Sequence, residues 1–260
     1  MNKDEKQKLY TLRWYVRERW GDEYSKGEAL DLLNKMLDPD STPEERPSVS
    51  SSGQHLLLCP FAATGFRPAL SRGTYTDGYP KGAVIHFTAG RRNGLESALN
   101  YQVDQGYLYF VIDEDGNIGQ NFSLDSWGYH AGKSSYQGLS GSVSDDLVGI
   151  EVQCAGKLTK QGDSFRTWFG TTVPESEVRT IPSKKDNQQQ GHYEKYTEAQ
   201  ENALTTLILW LHKNNPEVFK LNFVVGHDEV SPGRKNDPGG SLSMTMPQYR
   251  DYLRAQAAEG

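Results

Sequence analysis

From about residue 55 onward, short apolar runs alternate with polar turns and helical stretches, and a chain patterned in this way closes into an α/β domain. The runs at 56–59, 83–87, 107–112, 117–121, 147–153 and 222–225 predict strands. Helices are predicted over 94–105, 198–214 and 247–255. Thr197 with Gln200 forms a capping box for the second, and Leu204, Leu207, Ile208 and Leu211 give it one apolar stripe. The turn Asp113-Glu114-Asp115-Gly116 joins two strands as a hairpin, so the central sheet is mixed rather than wholly parallel. Between 156 and 195 the periodicity fades into a Gly-, Ser- and Gln-bearing stretch, read as an excursion over the surface. Within it, Gln188-Gln189-Gln190 reads as a low-complexity piece.

The first 54 residues follow a different pattern. Leu9, Leu12, Val16 and Trp20 recur at helical spacing, and Ser25 with Glu28 opens a second helix whose Leu30, Leu33 and Leu37 share a face. Asp38-Pro39 stops it. A linker then runs over 38–54, with Pro39, Pro43, Pro47 and a Ser-rich stretch too polar to offset the entropy of ordering. The expected organisation is an N-terminal helical pair (1–37), a Pro/Ser-rich linker (38–54) and one α/β domain (55–260).

Several function classes drop out. No run approaches the ~18 consecutive apolar residues of a bilayer-spanning helix, so no integral membrane segment is expected. Residues 1–6 lead into no apolar signal region, which predicts synthesis in the cytoplasm without a Sec signal. With 28 Lys+Arg against 34 Asp+Glu, the net charge of -6 supplies no global field for a polyanion, and no nucleic-acid partner is expected. Cys59 and Cys154 form no Cys-x-x-Cys pair and are read as buried free thiols.

Some motifs fail on inspection. Gly132-Lys133-Ser134 ends like a phosphate loop, but Trp127 stands where its first glycine belongs. Gly138-Leu139-Ser140-Gly141-Ser142 lacks the last glycine of a nucleophile elbow, and the acidic turn at Asp113 has Leu124 where a calcium loop needs a bidentate Glu.

What survives is a set of ionisable residues at strand ends. Ala83-Val84-Ile85 runs into His86, and Phe223-Val224-Val225-Gly226 runs into His227, with Asp237 ten positions further on. Carboxyl ends of strands are where open α/β sheets place ligands. Two imidazoles and a carboxylate suffice for a zinc ion with one open position, although spacing alone does not choose between that and satisfied buried polar groups. Glu151 interrupts the apolar run 147–152, so it either faces solvent or has a buried partner or purpose. Lys235, two residues before Asp237, is placed to stabilise an oxyanion, or is an ordinary surface lysine. Tyr109 and the Tyr129-His130-Ala131-Gly132 segment add polar tips and a small-residue opening.

Four blocks in this order resemble the zinc-dependent type 2 N-acetylmuramoyl-L-alanine amidases, which share their fold with peptidoglycan-recognition proteins and certain phage lysozymes. They are Val84-Ile85-His86-Phe87-Thr88-Ala89-Gly90, His130-Ala131-Gly132, Gly149-Ile150-Glu151, and Gly226-His227 through Pro232-Gly233-Arg234-Lys235-Asn236-Asp237-Pro238-Gly239. The resemblance covers about 54–254 and implies a mixed central sheet flanked by helices, making 55–260 a zinc amidase domain. It implies Zn2+ on His86, His227 and Asp237, with Glu151 and Lys235 as catalytic residues. The implied reaction is hydrolysis of the amide between N-acetylmuramic acid and L-alanine in peptidoglycan or muropeptides. Substrate-binding candidates are Tyr109, His130, Arg91, Arg92 and Lys133, the last three as local cations for stem-peptide carboxylates. A recognition module that binds without cutting, and a cytoplasmic muropeptide-recycling amidase, are the competing readings. The expected place of action is the cell wall or periplasm, reached by phage lysis or a specialised secretion route as an antibacterial effector, with a delivery or immunity protein as partner.

Overall fold

The computed structural model describes residues 55–139 and 142–259, so the helical pair and linker expected before residue 55 lie outside the described residues. A five-stranded sheet has the order β12-β2-β6-β3-β4, from Val224–Gly226 (β12) through Gly82–Phe87 (β2), Leu147–Val152 (β6) and Tyr109–Ile112 (β3) to Ile118–Gly119 (β4). The first four run parallel and β4 returns antiparallel, so the mixed sheet inferred from the Asp113 turn is the one formed. The Asp113 carboxylate closes that turn by accepting from Asp115 N and Asn117 N at 3.1 and 2.9 Å.

Strand alternation sorts the apolar side chains onto two faces. Ala83, Ile85, Phe87, Val148, Ile150, Phe110 and Ile112 join the main core, which the helices Glu198–Asn214 and Met246–Glu259 cover through Leu204, Leu207, Ile208, Leu211 and Leu253. The first of these helices begins at the Thr197 capping box, as its sequence requires. Val84, Leu147 and Val225 face the other way, against Ala131 and Val143. Tyr109 and Val111 pack there against Leu99 of the helix Leu95–Gln105. By the same alternation His86 and Glu151, neighbours in register across β2 and β6, belong to this second face.

Two expectations fail. The run 56–59 forms no strand: Leu56, Leu57 and Leu58 are exposed, and the backbone of Leu56 bonds instead to the side-chain amide of Asn214. The stretch 156–195 is a second five-stranded sheet, antiparallel throughout, of order β10-β11-β7-β8-β9. Its strands are Lys157–Gln161 (β7), Ser164–Arg166 (β8), Thr172–Val173 (β9), Val178–Ile181 (β10) and Gly191–Glu194 (β11). Leu158, Phe165 and Val173 bury with Ala155 in a small cluster and Ile181 and Tyr193 join the main core, so each strand's apolar signal is too brief to read as strand. A short ribbon of Gly73–Thr74 (β1) with Ser126–Trp127 (β5) completes the sheets. Cys59 and Cys154 are free and buried, as expected, and among the described residues no helix is long and apolar enough to cross a membrane.

Candidate functional site

Parallel register gathers residues far apart in sequence at one edge of the central sheet. His86 and Glu151 are the penultimate residues of adjacent strands, and His227 follows β12, whose Gly226 pairs with Ile85. Asp237 returns on the next loop, which is fastened by Asp228 N donating to Asp237 O at 2.8 Å. His86 Nδ1 lies 2.8 Å from His227 Nδ1 and 3.1 Å from Asp237 Oδ2, and His227 Nδ1 lies 2.9 Å from the same oxygen. All three residues are buried.

The outer ring nitrogens decide what the inner ones offer. His227 Nε2 faces Ala131 O at 3.0 Å, and a carbonyl can only accept, so this nitrogen carries the proton. His130 Nε2 likewise faces Leu147 O at 2.8 Å, leaving its Nδ1 to accept from His86 Nε2 at 3.1 Å. Both inner Nδ1 atoms therefore present lone pairs in the neutral rings. Burial first, and then the neighbouring histidine's charge, pushes His86 down to about 4 and His130 well below its ordinary value, so both are neutral at pH 7.

Two lone pairs and a carboxylate oxygen cannot satisfy one another. A cation among them can. Tetrahedral zinc with bonds of about 2.0 Å needs ligand atoms roughly 3.3 Å apart, a small expansion of the spacings here. Among the described residues this is the one group of histidine, cysteine or acidic side chains with metal-ligating geometry.

Glu151 stands beside it with Oε2 buried and without a hydrogen-bond partner. Burial, reinforced by the charge of Asp237 and opposed by Lys235, lifts its carboxyl to about 8. The charge of Lys235 is felt at both Glu151 and His86.

The remaining candidates separate. His130 sits behind His86, where it fixes a tautomer. Tyr109 is buried on β3, its hydroxyl proton held more tightly by burial and by the Glu151 charge. Arg92 is turned away into carboxylates, 3.1 Å from Glu114, 3.8 Å from Glu177 and 3.4 Å from Glu194, so it serves the fold rather than a ligand. Arg91 and Lys133 are exposed; the Lys133 carbonyl accepts from Ser231 Oγ and Arg234 Nη2.

Four contributors were not anticipated. A Cβ on Gly149 would stand 2.8 Å from the His130 ring and 2.9 Å from Tyr109 Cβ, so glycine makes room for the tautomer-fixing histidine. A glycine inside an apolar strand was the available signal for such an approach. Arg234 ties the 131–133 segment to the His227 helix through Ala131 O at 2.7 Å and Ser231 Oγ at 2.6 Å. Tyr196 donates its hydroxyl to His86 O at 3.0 Å, and Gln189 donates to Lys235 O at 3.0 Å. Nothing in the sequence pattern marks the last two.

The N-acetylmuramoyl-L-alanine amidase family model matches residues 76–240, which include every residue of this cluster. No curated protein matches the chain. Solved structures similar to it include a selenomethionine derivative of AmpD, 22% identical over 73% of this chain and 93% of that one, with a TM-score of 0.46. Another is the amidase AmiD from E. coli in complex with anhydro-N-acetylmuramic acid-L-Ala-D-gamma-Glu-L-Lys, 21% identical over 70% of this chain and 61% of that one, TM-score 0.47. The endolysin amidase LysCS from Clostridium intestinale is 14% identical over 75% and 94%, TM-score 0.42. These scores stay below 0.5, so the family assignment rests on the sequence model.

Proposed function

Since the chain belongs to the N-acetylmuramoyl-L-alanine amidase family, we propose that His86, His227 and Asp237 hold a zinc ion at which the amide between N-acetylmuramic acid and L-alanine of peptidoglycan is hydrolysed. The convergence of the two Nδ1 atoms and one carboxylate oxygen within 2.8 to 3.1 Å carries this reading. When bound, zinc supplies a Lewis acid for the scissile carbonyl and brings the pKa of a water towards about 7.

The chain's own residues do the rest. Glu151 takes a proton from the attacking water and delivers it to the alanine nitrogen as the carbon–nitrogen bond breaks. Burial raises the Glu151 carboxyl, which favours it as an acid, while the positive charge of Lys235, and that of a zinc ion when bound, favours the ionised form in which it acts as a base. The Lys235 ammonium also offsets negative charge developing on the carbonyl oxygen. Behind them the relay from Leu147 O through His130 holds the His86 lone pair on the zinc side.

The test is mass spectrometry of purified wall treated with the protein, with and without chelator, alongside metal analysis. Stem peptides with a free L-alanine amine are expected only without chelator. Bound zinc with no peptide release would leave a binding module.

A further inference from the structure

Trp168 is 74% exposed, the most exposed of the large hydrophobic side chains among the described residues. It is nonetheless held in place. Its indole Nε1 donates to Ala89 O at 2.6 Å, and its ring meets Phe169 edge-on with centroids 5.4 Å apart. The turn between β8 and β9 that carries it is closed by Thr167 N donating to Thr171 O and Thr171 N to Thr167 Oγ1, both at 2.9 Å, and by Gly170 N donating to Thr167 O at 3.0 Å.

The anchor point locates this tip. Ala89 comes three residues after His86, so no more than roughly 11 Å of backbone separates Trp168's hydrogen-bond partner from the proposed zinc ligand. Arg91 lies alongside, its guanidinium 4.7 Å over the Phe169 ring and its Nη1 donating to Thr171 Oγ1 at 3.3 Å. Among the described residues no carboxylate pairs with Arg91, in contrast to Arg92.

We propose that Trp168, with Arg91 beside it, is a carbohydrate subsite on the glycan side of the scissile amide, an assignment that rests on the amidase reading above. The single polar hydrogen of the indole is already committed to Ala89 O, so what remains for a ligand is a flat apolar face. A pyranose ring presents a matching face of C–H groups, whereas a stem-peptide carboxylate gains nothing from it. The guanidinium edge of Arg91 supplies donors for hydroxyl and acetamido oxygens around the sugar. The second sheet, which carries the tip, would thereby set a preference for substrates that retain their glycan.

The experiment measures binding of a peptide-free N-acetylglucosaminyl-N-acetylmuramic acid disaccharide to the full zinc-loaded chain by calorimetry, with free stem peptide as the second ligand. Trp168→Ala is expected to weaken disaccharide binding about tenfold and Trp168→Phe less than about threefold, with stem-peptide binding, zinc content and Tm unchanged. In muropeptide hydrolysis, KM is expected to rise by a similar factor at constant kcat. Equal disaccharide affinity in Trp168→Ala and the parent, or a loss confined to the stem peptide, would overturn the proposal. The disaccharide contains no scissile amide. Trp168-dependent binding by a protein without amidase activity would therefore support the subsite and defeat only the amidase reading, while Trp168-independent binding by an active enzyme would defeat only the subsite.

Discussion

In the central sheet β2 is buried at all six positions and β6 at five of six, whereas in the second sheet β7 buries one residue of five and β9 one of two. The first is a mixed sheet whose four parallel strands are covered on both faces, and their backbone register brings residues 86, 151 and 227 to one edge. The second contributes through side-chain amides. Gln188, buried, donates to the carbonyls of Gly239, Leu242 and Met244, and Gln189 donates to Lys235 O, so the glutamine run buttresses the loop that presents Lys235 and Asp237. Tyr193 of β11 fills the space left by Gly239 and Gly240, where a Cβ would stand 2.8 and 2.6 Å from its ring. One sheet places the chemistry; the other holds the loop that completes it.

That division can be broken by substitution. Glu151→Gln in the central sheet should have the largest effect, lowering kcat by about 10²- to 10⁴-fold while zinc content and Tm hold, as read by product mass spectrometry and metal analysis. His130→Ala should raise the zinc dissociation constant by about 10- to 100-fold in chelator competition, because His86 loses the partner that fixes its tautomer. An unchanged zinc affinity would mean that the relay is incidental. In the second sheet, Gln188→Ala should cost about 1–3 kcal/mol in urea unfolding by leaving buried carbonyls without a donor, with a smaller loss of turnover than Glu151→Gln. The reverse ranking would put chemistry where we place support.

The remaining test is a pH slope in the zinc-free protein. The folded-state Glu151 carboxyl is raised from 4.5 to about 8, so the native state binds more protons than the unfolded chain between those values. Its contribution is full below about pH 4.5 and is lost as pH rises through about 8. Urea midpoints of the zinc-free parent should accordingly fall relative to Glu151→Gln between pH 5 and 8, and parallel curves would show that the carboxyl is not buried as described.

The same contrast explains what was legible in the sequence. Fully buried parallel strands read as unbroken apolar runs, so β2 and β6 stood out along with the ionisable residue near the end of each. The helix Glu198–Asn214 was bounded correctly because its cap and apolar stripe are local. Strands such as Thr172–Val173 and Ser164–Arg166 are too short for a period-two pattern, and their pairing depends on turns rather than burial. The exposed leucines at 56–58 misled for the opposite reason, an apolar run that pairs with nothing in the sheet. His130 was visible as a histidine beside small residues, but its place behind His86 depends on Gly149 opposite it, a relation between strand and loop that no local spacing encodes.

The most direct test of the central claim is zinc stoichiometry by elemental analysis on the purified chain and on His86→Ala, His227→Ala and Asp237→Ala. The account predicts one zinc per chain in the parent and its loss from each variant, with loss of stem-peptide release in parallel. Undiminished zinc in all three, or chelator-resistant release by the parent, would contradict it.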